Sequence, residues 1–164
     1  MLALAQVATL TLVAIAFALA LAHALEFPGK MRLSKEEYLA VQPIYHPGFT
    51  IGGVAEPAAI IMLAALLFLA PHRGLPNWLL AGALLLMLAM HAVYWMRTHA
   101  VNNFWLRDAK LTGAASTFFA FRGSSSTLGD ADWIQLRDQW ENSHLLRAAL
   151  GLAAFILLAA SIAI

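Results

Sequence analysis

The sequence predicts an all-α fold: one integral membrane four-helix bundle over residues 1–164, up-down-up-down, with a long irregular connection between helices three and four. Composition, span length and the placement of ionisable residues predict it. The 164 residues are 62% hydrophobic and only 12% charged, where a soluble domain is about half apolar and a quarter charged. Four stretches approach or exceed the ~20 apolar residues that cross a bilayer. The titratable side chains in or beside those stretches gather toward one end of the bundle. The length fits a single domain.

The spans cover about residues 2–25, 49–70, 78–97 and 144–164. The first carries no charge. Ala22-His23-Ala24 looks like a signal-peptidase site, but no Lys or Arg precedes it and the apolar run exceeds the usual ~7–15 residues of a signal core, so it reads as a retained helix. The second is interrupted by Glu56, the third holds His91, and the fourth has Arg147 near its start.

The connections are unequal. Pro71-His72-Arg73-Gly74-Leu75-Pro76 reads as a tight turn. Between spans one and two, Ser34-Lys35-Glu36-Glu37 is a capping box that starts a short helix, and Pro43 ends it. Residues 98–143 form the long connection. Its middle, Gly113 to Asp130, is rich in Gly, Ser, Thr and Phe, and Phe118, Phe119 and Phe121 are placed to dip into the interface. Asp132, with Gln135 three residues on, predicts a helix start that runs on into span four.

Alternating spans put both long connections on one face, the site side, and leave the termini and the tight turn on the other. The ionisable residues divide the same way. His23 and Glu26 end span one, His46 precedes span two, and His91, Arg97 and His99 lie toward the end of span three. Glu141, His144 and Arg147 open span four. Glu56 lies about 10 Å below Phe49 at ~1.5 Å rise per residue, and His91 sits at a similar depth. Charges inside a membrane are costly and turn toward the bundle interior and one another. The expectation is a polar cavity on the site side, shared by His23, Glu56, His91, His144 and Arg147.

Trp140, His144 and Arg147 fall on one helical stripe, as do His91, Trp95, Thr98 and Asn102. His23, Glu26, Glu56, His91, Glu141 and His144 are the candidate metal ligands. Di-iron helical bundles use a Glu-x-x-His motif on each of two helices plus single Glu residues on two others. Here Glu141 and His144 have that spacing, while His23 and Glu26 have the reverse order. With no cysteine in the chain, imidazole and carboxylate donors suit iron, copper or zinc. The plainer alternative is structural: Glu26 solvated at a helix end, His23 an interfacial hydrogen-bonder, Glu56 neutralised by Arg147. Trp78, Trp95, Trp105 and Trp140 sit at helix ends, where an aromatic belt is the default. The apolar far half speaks against an ion or proton channel, and the net charge of +1 gives no sign of a nucleic-acid partner.

The run His23-Ala-Leu-Glu26-Phe-Pro-Gly-Lys30, with Tyr45, Gly52-Gly53 and Glu56, resembles an uncharacterised bacterial family of four-helix membrane proteins. Asn102-Asn103-Phe104-Trp105 and Trp140-Glu141-Asn-Ser-His144-Leu-Leu-Arg147 resemble it too. That family is similar to the anthrone-oxygenase-like superfamily, and the resemblance covers nearly the whole chain outside the Gly/Ser-rich connection. It implies oxygenation of a polycyclic aromatic to a quinone. Glu56, His91, His144 and Arg147 are then the catalytic candidates, and Asn102 and Trp140 the cofactor-binding ones.

Two function classes follow. One is a membrane oxidoreductase acting on a lipophilic, aromatic or quinone-like molecule. The other is a non-catalytic subunit that binds a lipid, quinone, pigment or metal, as a homo-oligomer or as a brace in a larger membrane complex. Lys30, Arg32, Lys35, Arg107, Lys110, Arg122 and Arg137 lie on the site side, against Arg73 opposite. The positive-inside rule then puts the site at the cytoplasmic face of a bacterial inner membrane.

Overall fold

A computed structural model describes residues 1–69, 74–105 and 132–164, without the side chains of 103–105 and 132. Of the expected tight turn at 71–76, residues 71–73 lie outside the described residues, as does the irregular connection with its phenylalanines, while Leu75 and Pro76 belong to a helix. The elements are α1 (Leu2–Lys30), α2 (Lys35–Val41), α3 (Gly48–Gly52), α4 (Ala55–Leu69), α5 (Leu75–Val93), α6 (His99–Trp105) and α7 (Asp132–Ala163). A 3-10 turn at Gln42–Tyr45 follows α2, and a π-helical stretch at Tyr94–Thr98 joins α5 to α6. Among the described residues there is no strand.

Four helical units are long and apolar enough to cross a membrane: Leu2–Lys30, Gly48–Leu69, Leu75–Asn102 and Trp133–Ala163. They form an all-α four-helix bundle in up-down-up-down order. Leu2, Leu66, Pro76 and Ile162 meet at one end, which therefore holds the start of α1, the end of α4, the start of α5 and the end of α7. α7 packs most extensively against α5 and α1, and α4 meets α5 over the least surface.

The first, third and fourth units run further than their apolar stretches. α1 continues past Leu25 to Lys30 with Pro28 inside it, because Glu26 and Lys30 find partners at the end of the bundle. The second unit is broken at Gly53–Val54, one turn before Glu56. α7 is continuous from Asp132 into the bundle, as its start signal predicted. The α2 capping box is complete: the Ser34 backbone N–H donates to Glu37 Oε2 at 2.9 Å, and the Glu37 backbone N–H donates to Ser34 Oγ at 3.3 Å.

The inward faces follow heptad-like spacing. On α1, Thr9, Val13, Ala16, Ala20, His23 and Lys30 are buried. On α5 the stripe is Leu80, Ala83, Met87 and Met90, and on α4 it is Glu56, Ala59, Leu63 and Leu66. On α7 it is Trp140, His144, Ala148, Gly151, Ala154, Leu158 and Ser161. Lipid tails are as apolar as leucine, so close packing of small residues holds such helices together. Gly151 shows how close: a Cβ there would sit 3.3 Å from Phe17 Cα and from Met90 Sδ. The far half is dry, built on Val13, Leu63, Leu66, Leu80, Ala83, Met87, Ala154 and Leu158. Thr9 and Ser161 return their hydroxyls to their own helix backbones.

Candidate functional site

Where the inward stripes reach the site side, they change from apolar to polar in a single layer. His23 on α1, Glu56 on α4, Tyr94 beyond α5, and His144 and Arg147 on α7 all line a cavity of about 380 Å³. His91, Trp95, Thr98, Asn102 and Trp140 line it as well, with Leu19, Phe49, Val54 and Pro57 among its apolar walls. The α3–α4 side is the open one, since Ile51 and Val54 in its lining are 64% and 63% exposed. His91, Tyr94 and Trp95 line the cavity as well, so this opening lies at the seam between α4 and the end of α5.

One network runs across the cavity. Arg147 donates from Nη2 to Glu56 Oε2 at 2.5 Å. His91 Nδ1 lies 3.0 Å from Glu56 Oε1, and Trp95 donates its indole N–H to His91 Nε2 at 2.9 Å. An ionised carboxylate only accepts and an indole only donates, so His91 carries its hydrogen on Nδ1. Both oxygens of Glu56 and both nitrogens of His91 are therefore engaged.

The other wall differs. His144 is 3% exposed, and its Nδ1 lies 3.4 Å from Arg147 Nη1. A guanidinium only donates, so the neutral ring has its hydrogen on Nε2. His144 Nε2 and Arg147 Nε are both buried without a hydrogen-bond partner in the protein, and both are donors. A buried polar group left unpaired costs about 1–3 kcal/mol. This wall is therefore set to receive an accepting oxygen.

Glu26 and Glu141, expected in the same site, are elsewhere. They belong to a second cluster that roofs the cavity, centred on Lys30, which is only 5% exposed. Lys30 Nζ lies 2.9 Å from Glu26 Oε2, 3.7 Å from Glu141 Oε1 and 3.4 Å from His23 Nδ1. It also sits 4.7 Å from the ring centres of both Tyr45 and Trp140. Tyr38 donates to Glu141 at 2.8 Å and Tyr45 to Glu26 at 2.6 Å. Burial, then the neighbouring Glu141, pushes the Tyr38 phenol well above its usual range; burial and the bond to Glu26 do the same for Tyr45. Both phenols stay donors.

The Glu141/His144 pair thus does not act as one motif: three residues along a helix leave the side chains on one face but about 4.5 Å apart along the axis, and the carboxylate reaches the roof while the imidazole lines the cavity. The His23/Glu26 pair divides likewise, with 3.7 Å between Nδ1 and Oε2 but only His23 on the cavity wall. The six expected ligands are split between two clusters. Among the described residues no group of three or more His, Cys, Asp or Glu side chains is arranged to hold a metal ion. The one lone pair of His91 is already given to Trp95, and each oxygen of Glu56 already has one protein donor.

Asn102 and Trp140 do meet: the indole N–H donates to Asn102 Oδ1 at 2.6 Å. Beside them Thr98 and Ser143 share a hydroxyl bond of 2.8 Å, tying the π-helical stretch to α7. His23 and His144 face each other with ring centres 4.1 Å apart.

Sequence reasoning did not single out Lys30, Tyr38 or Tyr94 as site residues. Lys30 was legible by extending the α1 stripe from Ala16 and His23 in steps of seven. Tyr94 was legible the same way, four residues beyond Met90. Tyr38 carries no such signal, since its partner Glu141 is 103 residues away.

No protein family, curated protein or solved structure matches the chain.

Proposed function

We propose that the chain is a membrane-embedded, oxygenase-like oxidoreductase acting on a lipophilic aromatic or quinone-like molecule in this cavity. The observation that carries the reading is an open cavity within the apolar bundle, with two buried donors that no protein group meets, His144 Nε2 and Arg147 Nε, on residues of one wall. A lipophilic molecule enters through the seam beside Ile51 and Val54 and places an oxygen on those donors. The resemblance to the anthrone-oxygenase-like superfamily supports the chemistry. Glu56, whose carboxylate keeps lone pairs beyond those given to Arg147 and His91, takes a proton from an activated ring methylene, while Arg147 and His144 hold the charge that develops on the substrate oxygen. Preorganised donors at a developing anion are commonly the largest catalytic effect. Direct reaction with dioxygen then turns the methylene into a carbonyl: the carbon loses two hydrogens, one oxygen atom becomes the carbonyl, and the other leaves as water.

No step is assigned to iron, copper or zinc, because the donor set does not converge on one point. The basic residues of the site-side connections support a cytoplasmic site in a bacterial inner membrane.

A second reading has an observation of its own. Both oxygens of Glu56 and both nitrogens of His91 have protein partners, as in a non-catalytic subunit that only binds its lipid, quinone or pigment. Turnover decides between the two. The full chain in lipid nanodiscs is given anthrone under air, and oxygen uptake and quinone are followed. The expected result is uptake that falls about 10²-fold in His144→Phe, the loss typical of one oxyanion donor. Binding without uptake favours the subunit reading, and no binding refutes both. Elemental analysis of the same sample, finding one tightly held transition metal per chain, would overturn the metal-free scheme.

A further inference from the structure

The substrate class can be narrowed, given the reading of the cavity as a site for a lipophilic, oxygen-bearing molecule. The cavity has two poles. The donor pole is His144 Nε2 and Arg147 Nε. The acceptor pole is His91 Nε2, whose lone pair is fixed in place because Nδ1 is held by Glu56 at 3.0 Å. That lone pair is covered by the Trp95 indole N–H at 2.9 Å.

Trp95 is well placed to uncover it. It lies in the π-helical stretch Tyr94–Thr98, and such stretches concentrate at functional sites. The wider turn lets the adjacent residues Tyr94 and Trp95 both line the cavity. The indole is partly exposed near the open seam. Tryptophan is at home at a membrane interface, where its N–H finds other acceptors. A ligand O–H that replaces the indole on His91 exchanges one hydrogen bond for another at little net cost.

We propose that Trp95 holds the place of a ligand hydroxyl: the cavity takes a molecule with an accepting oxygen for His144 and Arg147 and admits, across its ring system, a hydroxyl that takes over His91 Nε2 from the indole. Trp95 then sets how strongly the cavity prefers a hydroxyl, levelling ligands with and without one.

Three rigid ketones test this on the full chain in nanodiscs: tetralone, and its hydroxy and methoxy derivatives substituted on the ring edge away from the carbonyl. In the wild type the hydroxy and methoxy compounds should bind within about threefold of each other, because the hydroxyl only trades places with the indole. In Trp95→Phe the hydroxy compound should gain to about tenfold or more over the methoxy compound, since His91 Nε2 then has no other donor. NMR of wild-type protein with isotope-labelled tryptophan adds a readout without mutation: the Trp95 indole signal should move with the hydroxy compound and stay with the methoxy one. An unchanged affinity ratio in Trp95→Phe, or an indole signal indifferent to the hydroxyl, overturns the inference; if the variant does not fold, the NMR decides alone. Unsubstituted tetralone separates the two levels. If it binds and the hydroxyl makes no difference, only the role of Trp95 falls. If none of the three binds, the earlier reading of the cavity falls with it.

Discussion

The roof cluster around Lys30 and the cavity network around Glu56 are built from the same kinds of residue, yet they do different work. In the roof, one lysine lies between two carboxylates and two aromatic rings, each carboxylate takes a phenol hydrogen bond, and side chains fill the space between. In the cavity, Glu56 and His91 form a satisfied rail along one wall, while the opposite wall keeps donors that no protein group meets. Polar residues packed against one another brace helix ends. The same residues spaced around an opening make a receptor. Only the Glu26 side of the roof is wet: that side chain is 43% exposed, against 0% for Glu141 in the same cluster and 5% for Glu56 in the cavity.

That contrast orders the effects of substitution. Arg147→Met should be the most damaging, because it strands a buried Glu56 charge; about 3–5 kcal/mol is typical of removing one partner from a buried pair. Adding Glu56→Gln should restore most of it, and thermal unfolding of the single and double variants in detergent would show the coupling. No recovery in the double variant would mean that the pair is not the main interaction of either residue.

Lys30→Met should cost less, about 2–3 kcal/mol, because water reaches Glu26 and can solvate it. If it proved worse than Arg147→Met, the roof and not the cavity wall would be the electrostatic keystone.

Within the roof the two phenols give an internal comparison. Tyr38→Phe takes a donor from Glu141, whose side chain is fully buried, and should cost about 1–3 kcal/mol. Tyr45→Phe takes one from the half-exposed Glu26 and should cost about 0.5–1.5 kcal/mol. Equal losses, measured by the same melting assay, would remove the distinction between a dry and a wet side of the roof.

The smallest effect is at the α2 capping box. The Ser34 backbone N–H, then its side chain, holds the Glu37 carboxyl below the usual carboxylate range. A depressed carboxyl stabilises the fold at and above that usual range, and the contribution is lost as pH falls through the lowered pKa. Hydrogen exchange at the start of α2 should therefore accelerate on acidification below about pH 4, and Glu37→Gln should flatten that dependence.

Much of this was legible along the chain. The four spans, the crossing order and the side on which polar groups gather follow from apolar run length and alternation, since the bilayer imposes both. That His23, Glu56, His91, His144 and Arg147 share a layer followed from their depth alone. Depth does not specify which neighbours a side chain reaches. Glu141 and His144 lie three residues apart and point into different clusters, and so do Glu26 and His23, so spacing motifs overstated a common ligand set.

The sequence by itself determined a bundle with a dry half and a polar half, because burying polar groups in hydrocarbon is costly and leaves few places for them. Only the tertiary structure decided which polar atoms are spent on one another. Glu56 meets Arg147 across 91 residues and Tyr38 meets Glu141 across 103, and such pairings depend on helix rotation and on the bond directions at each side chain. The same geometry left His144 Nε2 and Arg147 Nε buried beside the cavity without a protein partner.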